Sequence, residues 1–575
     1  MTTRILSCLT ALALTIGLPL RGTAQVRGDS AGMVASKSGL VISSSSIASD
    51  VGASILRKGG NAVDAAVATA FALAVTYPGA GNIGGGGFMV VRMKSGTATT
   101  IDYRERAPLA STPTMYLDKN GHIDRSLTAT GYLAPGVPGT VRGLAVAHKR
   151  FGKLPWRDVV LPAAELARNG FPLDSGLARS LAREVTQGMT PYPASVAAYA
   201  KPGGGTWQAG DTIVLADLGR TLSAIATRGP DIFYTGWIAD SIAADMKRNG
   251  GLITKQDLAA YRAKERAPIR GRYHGYDLVT MPPPSSGGVT MVEMLNILAN
   301  FDLKDRWSAE TLHLMIESMR RAYLDRARYL GDPDFVKMPL ARLTSTKYAA
   351  ALAGTIDRTN ATSSVELGKD IVTPASIATE SEETTQFSIV DKDGNAVSNT
   401  FTLEGGYGSH VVVRGAGFLL NNEMGDFNKK PGETNVQGDI GTRANLIAPG
   451  KRMLSSMTPT IVTKDGKLFM VTGSPGGRTI INTVMEVVFN ATGFGMNARE
   501  AVDAPRLHHQ WLPDAATFER DALPDSTLAQ LRAMGHTVEQ RGRQGDAHTI
   551  IFDAKTKIAY GANDRRSSDS RASKP

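Results

Sequence analysis

Residues 382–390 of the chain read Glu-Glu-Thr-Thr-Gln-Phe-Ser-Ile-Val, and they decide how the rest of the sequence is interpreted. Polar and apolar residues alternate from Thr385 onward, a turn of sequence Asp-Lys-Asp-Gly follows at residues 391–394, and residues 396–402 alternate again. This pattern predicts two strands joined as a hairpin. A hydroxyl residue at such a junction is usually no more than the start of a strand. The alternative is that the chain is cut before Thr384, which would give an N-terminal threonine whose own amine can activate its Oγ.

Length and composition place the chain among ordinary globular proteins. It has 575 residues, of which 42% are hydrophobic and 20% are charged, and this is enough for a large core. The net charge is +11, but the basic residues are scattered and form no Lys/Arg block with interleaved aromatic residues. We therefore expect a solvated basic surface and no nucleic-acid partner. The Ser- and Arg-rich tail at residues 565–575 is predicted to be disordered.

The first residues have the features of a secretory signal peptide. Arg4 precedes a largely apolar stretch at residues 5–20, and small residues follow up to Ala24. This predicts a signal at residues 1–24 and a periplasmic or secreted protein with no membrane span in the mature chain, with an uncleaved anchor as the alternative. The only cysteine is Cys8, inside that segment. A mature chain without cysteine excludes disulfides, thiolate catalysis and cysteine-based zinc sites.

Patterning along the chain predicts a mixed α/β protein. The middle third is mostly helical, and its clearest helix lies at residues 309–329. The glycines at residues 79–87 follow a helix and precede a strand, the reverse of the order in a dinucleotide-binding fingerprint, so we expect them to let backbone segments pass closely. Residues 350–383 are predicted to be a poorly structured surface segment, where a cut is plausible. Beyond Thr384 the pattern changes to strands and hairpins, which favours sheets sandwiched by helices.

An N-terminal threonine would not need a histidine as its base. The chain has 9 histidines, and none lies in a recognisable triad context. The pair His508-His509 would point in opposite directions on a strand. The free α-amine of Thr384, with an ordinary pKa of about 7.7–8, could serve instead.

A glycine-rich turn is the candidate for stabilising negative charge. Residues 472–478 read Thr-Gly-Ser-Pro-Gly-Gly-Arg and stand between a predicted strand and a predicted helix. The N–H groups of Gly476 and Gly477 could be directed at a developing oxyanion. A tight strand-to-helix turn explains the same glycines equally well.

Charged and hydroxyl residues in separate loops are candidates for holding a small zwitterion. Carboxylates would hold an ammonium group, whereas a guanidinium binds a carboxylate through two hydrogen bonds. Each such residue, taken alone, is more often a solvated surface group. The candidates are Glu404, Glu423 and Asp426 for an ammonium group, and Arg104, Ser455 and Ser456 for a carboxylate.

Motifs spread over most of the chain share the order and context of one protein family. They are residues 84–88, 102–105, 282–288, 384–385, 421–427, 454–460, 473–477 and 504–510. On these motifs the chain resembles the γ-glutamyltranspeptidases from about residue 30 to residue 564. The resemblance implies an N-terminal nucleophile hydrolase with a four-layer αββα fold of the α/β (α+β) class. It also implies a heterodimer cut from one precursor, with a large subunit at residues 25–383 and a small subunit at residues 384–575 that together form one core.

The resemblance further implies a role for each candidate residue. The cut falls between Glu383 and Thr384, and Thr384 then attacks the γ-amide of glutathione or another γ-glutamyl donor. Water, or an acceptor amino acid or dipeptide, resolves the γ-glutamyl-enzyme, and no metal or cofactor is needed. Thr402 matches the threonine that orients the nucleophile, and Gly476 and Gly477 match the oxyanion hole. The α-carboxylate pocket matches Arg104, Ser455 and Ser456, and the α-amino pocket matches Glu404, Glu423 and Asp426.

Two positions depart from, or vary within, the family pattern. Members carry Asn or Glu at the position of Glu404, and we expect this residue to affect the balance of hydrolysis and transfer. The loop at residues 430–446 is long enough to be an active-site lid, but it carries Gln437 where some bacterial members have an aromatic residue. A glutaryl or cephalosporin acylase of the same fold is the main alternative, although an acyl group without an α-amine has no use for three acids. A non-catalytic exported amino-acid-binding protein is a further alternative.

Overall fold

The computed structural model describes residues 32–373 and 383–575 of the chain. The predicted signal peptide at residues 1–24 lies outside these ranges, as do residues 374–382 of the segment before the predicted cut. Within the described ranges, none of the helices combines the length and apolar character needed to cross a membrane.

Helices and strands alternate irregularly along the chain. The helices are α1 (Ser46–Arg57), α2 (Ala62–Thr76), α3 (Ser126–Ala129), α4 (Thr140–Phe151), α5 (Trp156–Asn169), α6 (Ser175–Thr186), α7 (Pro193–Tyr199), α8 (Ala216–Arg228), α9 (Asp231–Thr235), α10 (Trp237–Asn249), α11 (Lys255–Ala260), α12 (Gly287–Leu298), α13 (Ala309–Tyr329), α14 (Leu340–Leu343), α15 (Thr346–Ala353), α16 (Ser364–Leu367), α17 (Thr479–Gly493), α18 (Ala498–Asp503) and α19 (Asp525–Ala533). The strands are β1 (Val34–Ser36), β2 (Gly39–Ser43), β3 (Gly86–Arg92), β4 (Ala98–Asp102), β5 (Phe171–Pro172), β6 (Thr212–Ile213), β7 (Lys264–Arg266), β8 (Ile269–Tyr273), β9 (Tyr276–Thr280), β10 (Thr385–Asp391), β11 (Ala396–Thr402), β12 (Thr460–Lys464), β13 (Lys467–Thr472), β14 (Leu507–His508), β15 (Ala516–Glu519), β16 (Val538–Arg541), β17 (Thr549–Asp553), β18 (Ile558–Ala562) and β19 (Arg571–Ser573).

Two antiparallel sheets of seven strands form the centre of the molecule. One has the order β1-β18-β17-β13-β12-β9-β8, and the other has the order β19-β2-β10-β11-β3-β4-β7. The predicted hairpin around residues 391–394 is β10 and β11, paired from Thr385 opposite Phe401 to Val390 opposite Ala396. A three-stranded sheet (β14-β15-β16) and a two-stranded sheet (β5-β6) lie outside this pair.

The buried side chains define four layers. Leu40 of β2, Ile461 of β12 and their neighbours form an apolar cluster between the two large sheets. The outer face of the β10 sheet packs on α2, which is buried along its whole length, while Met470 on the other sheet packs against α12 and α17. Each sheet therefore buries one face against the other sheet and one face against helices. The predicted αββα arrangement is confirmed.

Segments that precede and follow Thr384 alternate within both large sheets. The later segment supplies the central strands, and the earlier segment supplies strands around them. The ladders that join the two segments are β1–β18, β9–β12, β2–β10, β3–β11 and β2–β19. Both segments therefore belong to one hydrogen-bonded core.

The predicted disorder of residues 565–575 is wrong. Residues 571–573 form β19, which pairs with β2 and covers its edge, and Ala572 is 6% exposed. Arg566 is bound to Glu519 at 2.5 Å and to Asp564 at 3.3 Å. The tail is ordered because its charges are paired and because the open edge of β2 offers unpaired backbone groups.

The segment at residues 350–373 is also more ordered than the sequence predicted. It contains the end of α15 and the short helix α16, whose Ser364 is fully buried. The N–H of Ser364 donates to Asp514 at 2.8 Å, so the segment is tied to the later part of the chain.

Candidate active site

The candidate residues meet at one edge of the paired sheets because neighbouring strands run in opposite directions. Strands β10 and β12 begin at this edge, and strands β11 and β13 end there. Thr384 lies just before β10, and Thr402 is the last residue of β11. Gly476 and Gly477 follow β13, and the two serines at 455–456 precede β12. Residues far apart in the sequence are thus brought to the same place.

Thr384 lies beside the carbonyl group that it would attack. It is 5% exposed, and its Oγ1 donates a hydrogen bond to the carbonyl oxygen of Glu383 at 2.7 Å. The pairing of Thr385 with Phe401 places Thr402 across from Thr384. The Oγ1 of Thr402 donates to the same Glu383 oxygen at 2.9 Å. In the uncut chain, therefore, Thr402 binds the Glu383 carbonyl oxygen, and the resemblance had implied a hydrogen bond to the Thr384 hydroxyl.

The hydroxyl of Thr402 is itself oriented by the turn that follows β11. The backbone N–H of Glu404 donates to Thr402 Oγ1 at 2.8 Å, so the hydroxyl proton is directed to Glu383. Glu404 has φ of 82°, in the region that favours glycine. The turn is held by a hydrogen bond from the Gly405 N–H to Asn422 Oδ1 at 2.8 Å. The strained backbone of Glu404 therefore lies directly beside the Thr402 hydroxyl that this turn orients.

A glycine lets strand β3 approach the end of β11. A Cβ atom on Gly85 would lie 2.1 Å from the carbonyl oxygen of Thr402, which no side chain can tolerate. Asn82 Nδ2 donates to the same oxygen at 2.8 Å. The prediction that these glycines allow close backbone approach is confirmed at Gly85.

The turn after β13 has the backbone conformation that its glycines suggested. Gly476 has φ of 128° and Gly477 has φ of 55°, and both values favour glycine. The Gly476 carbonyl accepts hydrogen bonds from Thr479 N at 3.0 Å and Thr479 Oγ1 at 2.6 Å, which fixes the turn at the start of α17. Gly477 lines the cavity that contains Thr384.

A small cavity of about 20 Å³ brings most of the candidates together. This volume has room for about one water molecule in the uncut chain. The lining residues are Glu383, Thr384, Thr402, Glu404, Glu423, Asp426, Ser455, Ser456, Met457, Gly477 and Ile480.

Arg104 joins the two halves of the predicted zwitterion pocket. Its side chain is fully buried, and its NH1 and NH2 groups donate to Glu423 Oε1 and Asp426 Oδ2, respectively. Nε and NH2 also donate to the carbonyl oxygens of Met453 at 3.3 Å and Leu454 at 3.2 Å. The cation predicted for a carboxylate is therefore paired with two of the acids predicted for an ammonium group.

The acids around Arg104 outnumber it, and burial makes their ionisation costly. Burial raises the pKa of Glu423 well above its usual range, although Arg104 opposes this effect. Glu105 is fully buried, with Oε2 3.8 Å from Arg104 NH1, and burial raises its pKa to about 8. Among the described residues, neither Glu105 oxygen has a hydrogen-bond partner. Sequence reasoning did not single out Glu105, and its position next to Arg104 at the end of a buried strand was the available signal.

The two serines have their acceptor sites occupied by fixed N–H groups. Ser455 Oγ accepts from the Met457 N–H at 3.1 Å, and Ser456 Oγ accepts from Arg326 NH2 at 3.1 Å. The proline-rich segment at residues 282–288 supports this loop, because the Ser455 N–H donates to Pro284 O at 2.9 Å. Arg326 was missed by sequence reasoning, although it follows Tyr323 at helical spacing in the predicted helix.

A larger cavity of about 720 Å³ borders the small one and shares Glu404 and Asp426 with it. Gln437, on the loop predicted to be a lid, lines this cavity. The loop is attached to its surroundings by Arg125, which binds Asp439 at 2.8 Å. The predicted lid loop thus lines the larger of the two cavities.

The histidine pair offers no base to Thr384. His508 and His509 are buried, and burial lowers their pKa values to about 3 and about 4, respectively. His508 binds Asn482 at 2.7 Å, and His509 binds Asp514 at 3.2 Å. Neither lines the small cavity around Thr384.

The described ranges contain one cluster with the side chains that metals prefer, formed by His313, Glu317 and His536. Glu317 is already bound to Arg320 at 3.1 Å and to Arg321 at 2.5 Å. Two guanidinium groups on this carboxylate leave no negative charge for a cation, so the residues do not fit a metal site.

Comparison with known proteins shows which family the chain belongs to. The family model for gamma-glutamyltranspeptidase matches residues 48–573. The glutathione hydrolase proenzyme of Escherichia coli strain K12 is 48% identical over 538 residues, which cover 93% of this chain and 92% of that protein. The acylase ACY 1 proenzyme of Pseudomonas sp. strain SE83 is 36% identical over 524 residues, which cover 90% of each. The crystal structure of cephalosporin acylase from Bacillus halodurans is 27% identical, with a TM-score of 0.82 over 98% of this chain and 99% of that chain. The chain belongs to the gamma-glutamyltranspeptidase family.

Proposed function

We propose that the chain is a precursor that cuts itself between Glu383 and Thr384, and that the mature enzyme transfers or hydrolyses the γ-glutamyl group of glutathione and related compounds. The proposal is carried by one observation. The hydroxyl of Thr384 lies 2.7 Å from the Glu383 carbonyl oxygen, in a cavity that also holds Glu423 and Asp426, the partners of Arg104.

In the cleavage step, Thr384 Oγ bonds to the carbonyl carbon of Glu383. The carbonyl oxygen then carries the developing negative charge, and it already accepts a hydrogen bond from Thr402 at 2.9 Å. Collapse breaks the C–N bond, the nitrogen takes a proton and becomes the α-amine of Thr384, and an ester remains. Water hydrolyses that ester and frees the Thr384 hydroxyl.

In the turnover step, the new α-amine of Thr384 accepts the proton of its own Oγ. The oxygen attacks the γ-carbonyl of the donor, and the N–H groups at Gly476 and Gly477 receive the oxyanion. The amine product leaves with the proton, and a γ-glutamyl ester remains on Thr384. Water or an acceptor amine then attacks this ester and regenerates the enzyme.

The zwitterionic head of a γ-glutamyl group fits the paired charges around Arg104. The α-carboxylate would take the guanidinium from Glu423 and Asp426, and the α-ammonium would take those two acids together with Glu404. Each charge of the zwitterion meets a group of opposite charge in such an exchange, whereas a ligand with only one of the two charges would break the ion pairs of Arg104 without replacing them. Ser455 and Ser456 would donate to the carboxylate.

The large cavity is the place for the leaving group and for acceptors. It borders the small cavity through Glu404 and Asp426, and it is lined by Lys429, Arg478 and Arg543 among others. Amino acids and dipeptides carry a carboxylate, which these cationic side chains suit.

A cephalosporin or glutaryl acylase is the second candidate, because acylases are among the relatives of the chain. A glutaryl group has no α-amine to balance Glu423 and Asp426 when its carboxylate takes over Arg104. Purified mature protein should therefore act on γ-glutamyl-p-nitroanilide and be at least about a hundredfold less active on glutaryl-p-nitroanilide, the loss expected when a buried charge is stranded. Equal activity on both donors would favour the acylase.

We also propose that export precedes maturation, with residues 1–24 as the signal, and that residues 25–383 and 384–575 remain associated as large and small subunits. The ladders that join the two segments, such as β2–β10 and β3–β11, support continued association after the cut. The non-catalytic binding protein is set aside, because the chain belongs to an enzyme family.

A further inference from the structure

One face of the last turns of helix α13 contacts three separate parts of the site. Tyr323 Oη donates to the carbonyl oxygen of Arg478, next to the glycine turn, at 2.5 Å. Arg326 NH2 donates to Ser456 Oγ at 3.1 Å, and the Ala327 carbonyl accepts from Thr442 of the lid loop at 2.6 Å. Residues 323, 326 and 327 are three and four positions apart, so they share one side of the helix.

Arg326 determines which way the Ser456 hydroxyl can act. A guanidinium has donors and no acceptor, so Ser456 Oγ must be the acceptor of this hydrogen bond. The single proton of Ser456 is then available to an acceptor on the cavity side, where Ser456 is one of the lining residues. The arrangement makes Ser456 a donor towards an anionic ligand.

The same guanidinium fixes the backbone of the neighbouring serine. Arg326 Nε donates to Ser286 Oγ at 2.8 Å, and Ser286 Oγ in turn donates to the Ser455 carbonyl oxygen at 2.6 Å. The Ser286 N–H donates to that oxygen as well, at 2.7 Å. Arg326 thus holds both serines, one directly and one through Ser286.

A second cation lies close to the pocket. Arg104 is bound to Glu423 and Asp426 and lies 3.8 Å from Glu105. The carboxylate of a donor would therefore have to share Arg104 with these acids. Arg326 is 9% exposed and shares a cavity lining with Asp426, so its charge is close to the pocket and shielded from solvent.

We propose that Arg326 is a positioning residue for the donor α-carboxylate: it orients Ser456 as a hydrogen-bond donor and supplies the second positive charge of the carboxylate pocket. The inference rests on the proposed γ-glutamyl chemistry, since it names the part of the donor that Arg326 serves.

The test is a double-mutant cycle on mature protein with γ-glutamyl-p-nitroanilide as donor. Arg326→Gln and Ser456→Ala should each raise KM about tenfold or more and leave kcat nearly unchanged, because a hydrogen bond to a charged group is lost in binding. The double variant should be little worse than the weaker-binding single variant, because both act on one contact. Effects on KM that multiply, or an unchanged KM for Arg326→Gln, would overturn the inference.

Two further variants keep the outcome clear. Arg328→Gln on the same helix, which removes contacts to Asp325 and Asp370, should retain the wild-type KM. Arg326→Lys keeps the charge but lacks the fork that reaches Ser286 and Ser456 together, so KM should rise several-fold even if Arg326→Gln does not accumulate. An unchanged KM for Arg326→Lys would contradict the inference. If wild-type protein showed no turnover, or turnover that did not depend on Thr384, that result would instead contradict the proposed function.

Discussion

The hydroxyl groups of Thr384 and Thr402 converge on one carbonyl oxygen, that of Glu383, at 2.7 Å and 2.9 Å. The two threonines come from the beginning of one strand and the end of its antiparallel neighbour. The first would attack the carbonyl group, and the second would hold the oxygen that becomes negative. In the uncut chain, the Thr402 hydroxyl would thus stabilise the oxyanion of the cleavage step. The glycine turn at Gly476 and Gly477 would do the same for the substrate in the mature enzyme.

Thr402 should be required for the rate of maturation. Thr402→Ala removes the donor to the Glu383 oxygen, and loss of one oxyanion donor slows such reactions about a hundredfold to a thousandfold. A time course on denaturing gels would show the precursor persisting. Thr402→Ser retains the hydroxyl and should mature faster than the alanine variant; cleavage of Thr402→Ala at the wild-type rate would contradict this role.

Arg104 should be required for donor binding but not for cleavage. Arg104→Gln leaves the two hydroxyl donors of the scissile carbonyl in place, so two chains should still form. The KM for γ-glutamyl-p-nitroanilide should rise at least about tenfold, because a charged hydrogen-bonding partner of the carboxylate is lost. Arg106→Gln, two residues away and bound to the Gly450 carbonyl, is the matched control. A wild-type KM for Arg104→Gln would show that the carboxylate is held elsewhere.

Glu105 should make stability depend on pH. Burial raises its pKa from the ordinary 4.5 to about 8, so the folded chain keeps a proton that the unfolded chain loses between these values. The unfolded state then binds fewer protons, and stability falls as the pH rises through this window. Glu105→Gln removes this dependence without a change of shape.

The thermal midpoints of wild type and Glu105→Gln at pH 5 and pH 8 would test this prediction. The wild-type midpoint should fall more than that of the variant between the two pH values. Parallel changes in both proteins would mean that Glu105 does not hold its proton in the folded chain.

The C-terminal strand should contribute to stability. Deletion of residues 570–575 removes β19 and exposes the edge of β2, so the thermal midpoint should fall by several degrees. Deletion of residues 574–575 alone leaves β19 intact and should have little effect. Identical thermal midpoints for the two truncated proteins would contradict this prediction and would show that β19 does not contribute to stability.

Much of the fold could be predicted from local pattern. The helix at Ala309–Tyr329 and the strand at Ala396–Thr402 have the predicted bounds, because apolar periodicity and flanking turns mark both. Local sequence signals did not predict the features that depend on contacts between distant parts of the chain. Ser49 has a residue type that often caps helices, but it lies inside α1, which begins at Ser46, and its Oγ donates to the Arg571 carbonyl oxygen of β19 at 2.8 Å.

That most of the candidate residues would lie close together could be predicted, whereas their pairing could not. Arg104 and Glu423 are 319 positions apart in the sequence, and nothing local indicates that they form an ion pair in the uncut chain. The support that Arg326 gives to Ser456 likewise depends on how a helix packs on a loop. Motifs identify such residues, whereas the folded structure is needed to show which of them form ion pairs or hydrogen bonds with one another.

The most direct test of the account is the mass of the chains in purified wild-type protein and in Thr384→Ala. Wild type should give two chains, with the smaller one beginning Thr-Thr-Gln-Phe at Thr384, and Thr384→Ala should give a single uncut chain without activity. A wild-type protein with no new amino terminus at Thr384, or an alanine variant that is cut normally, would contradict the central claim.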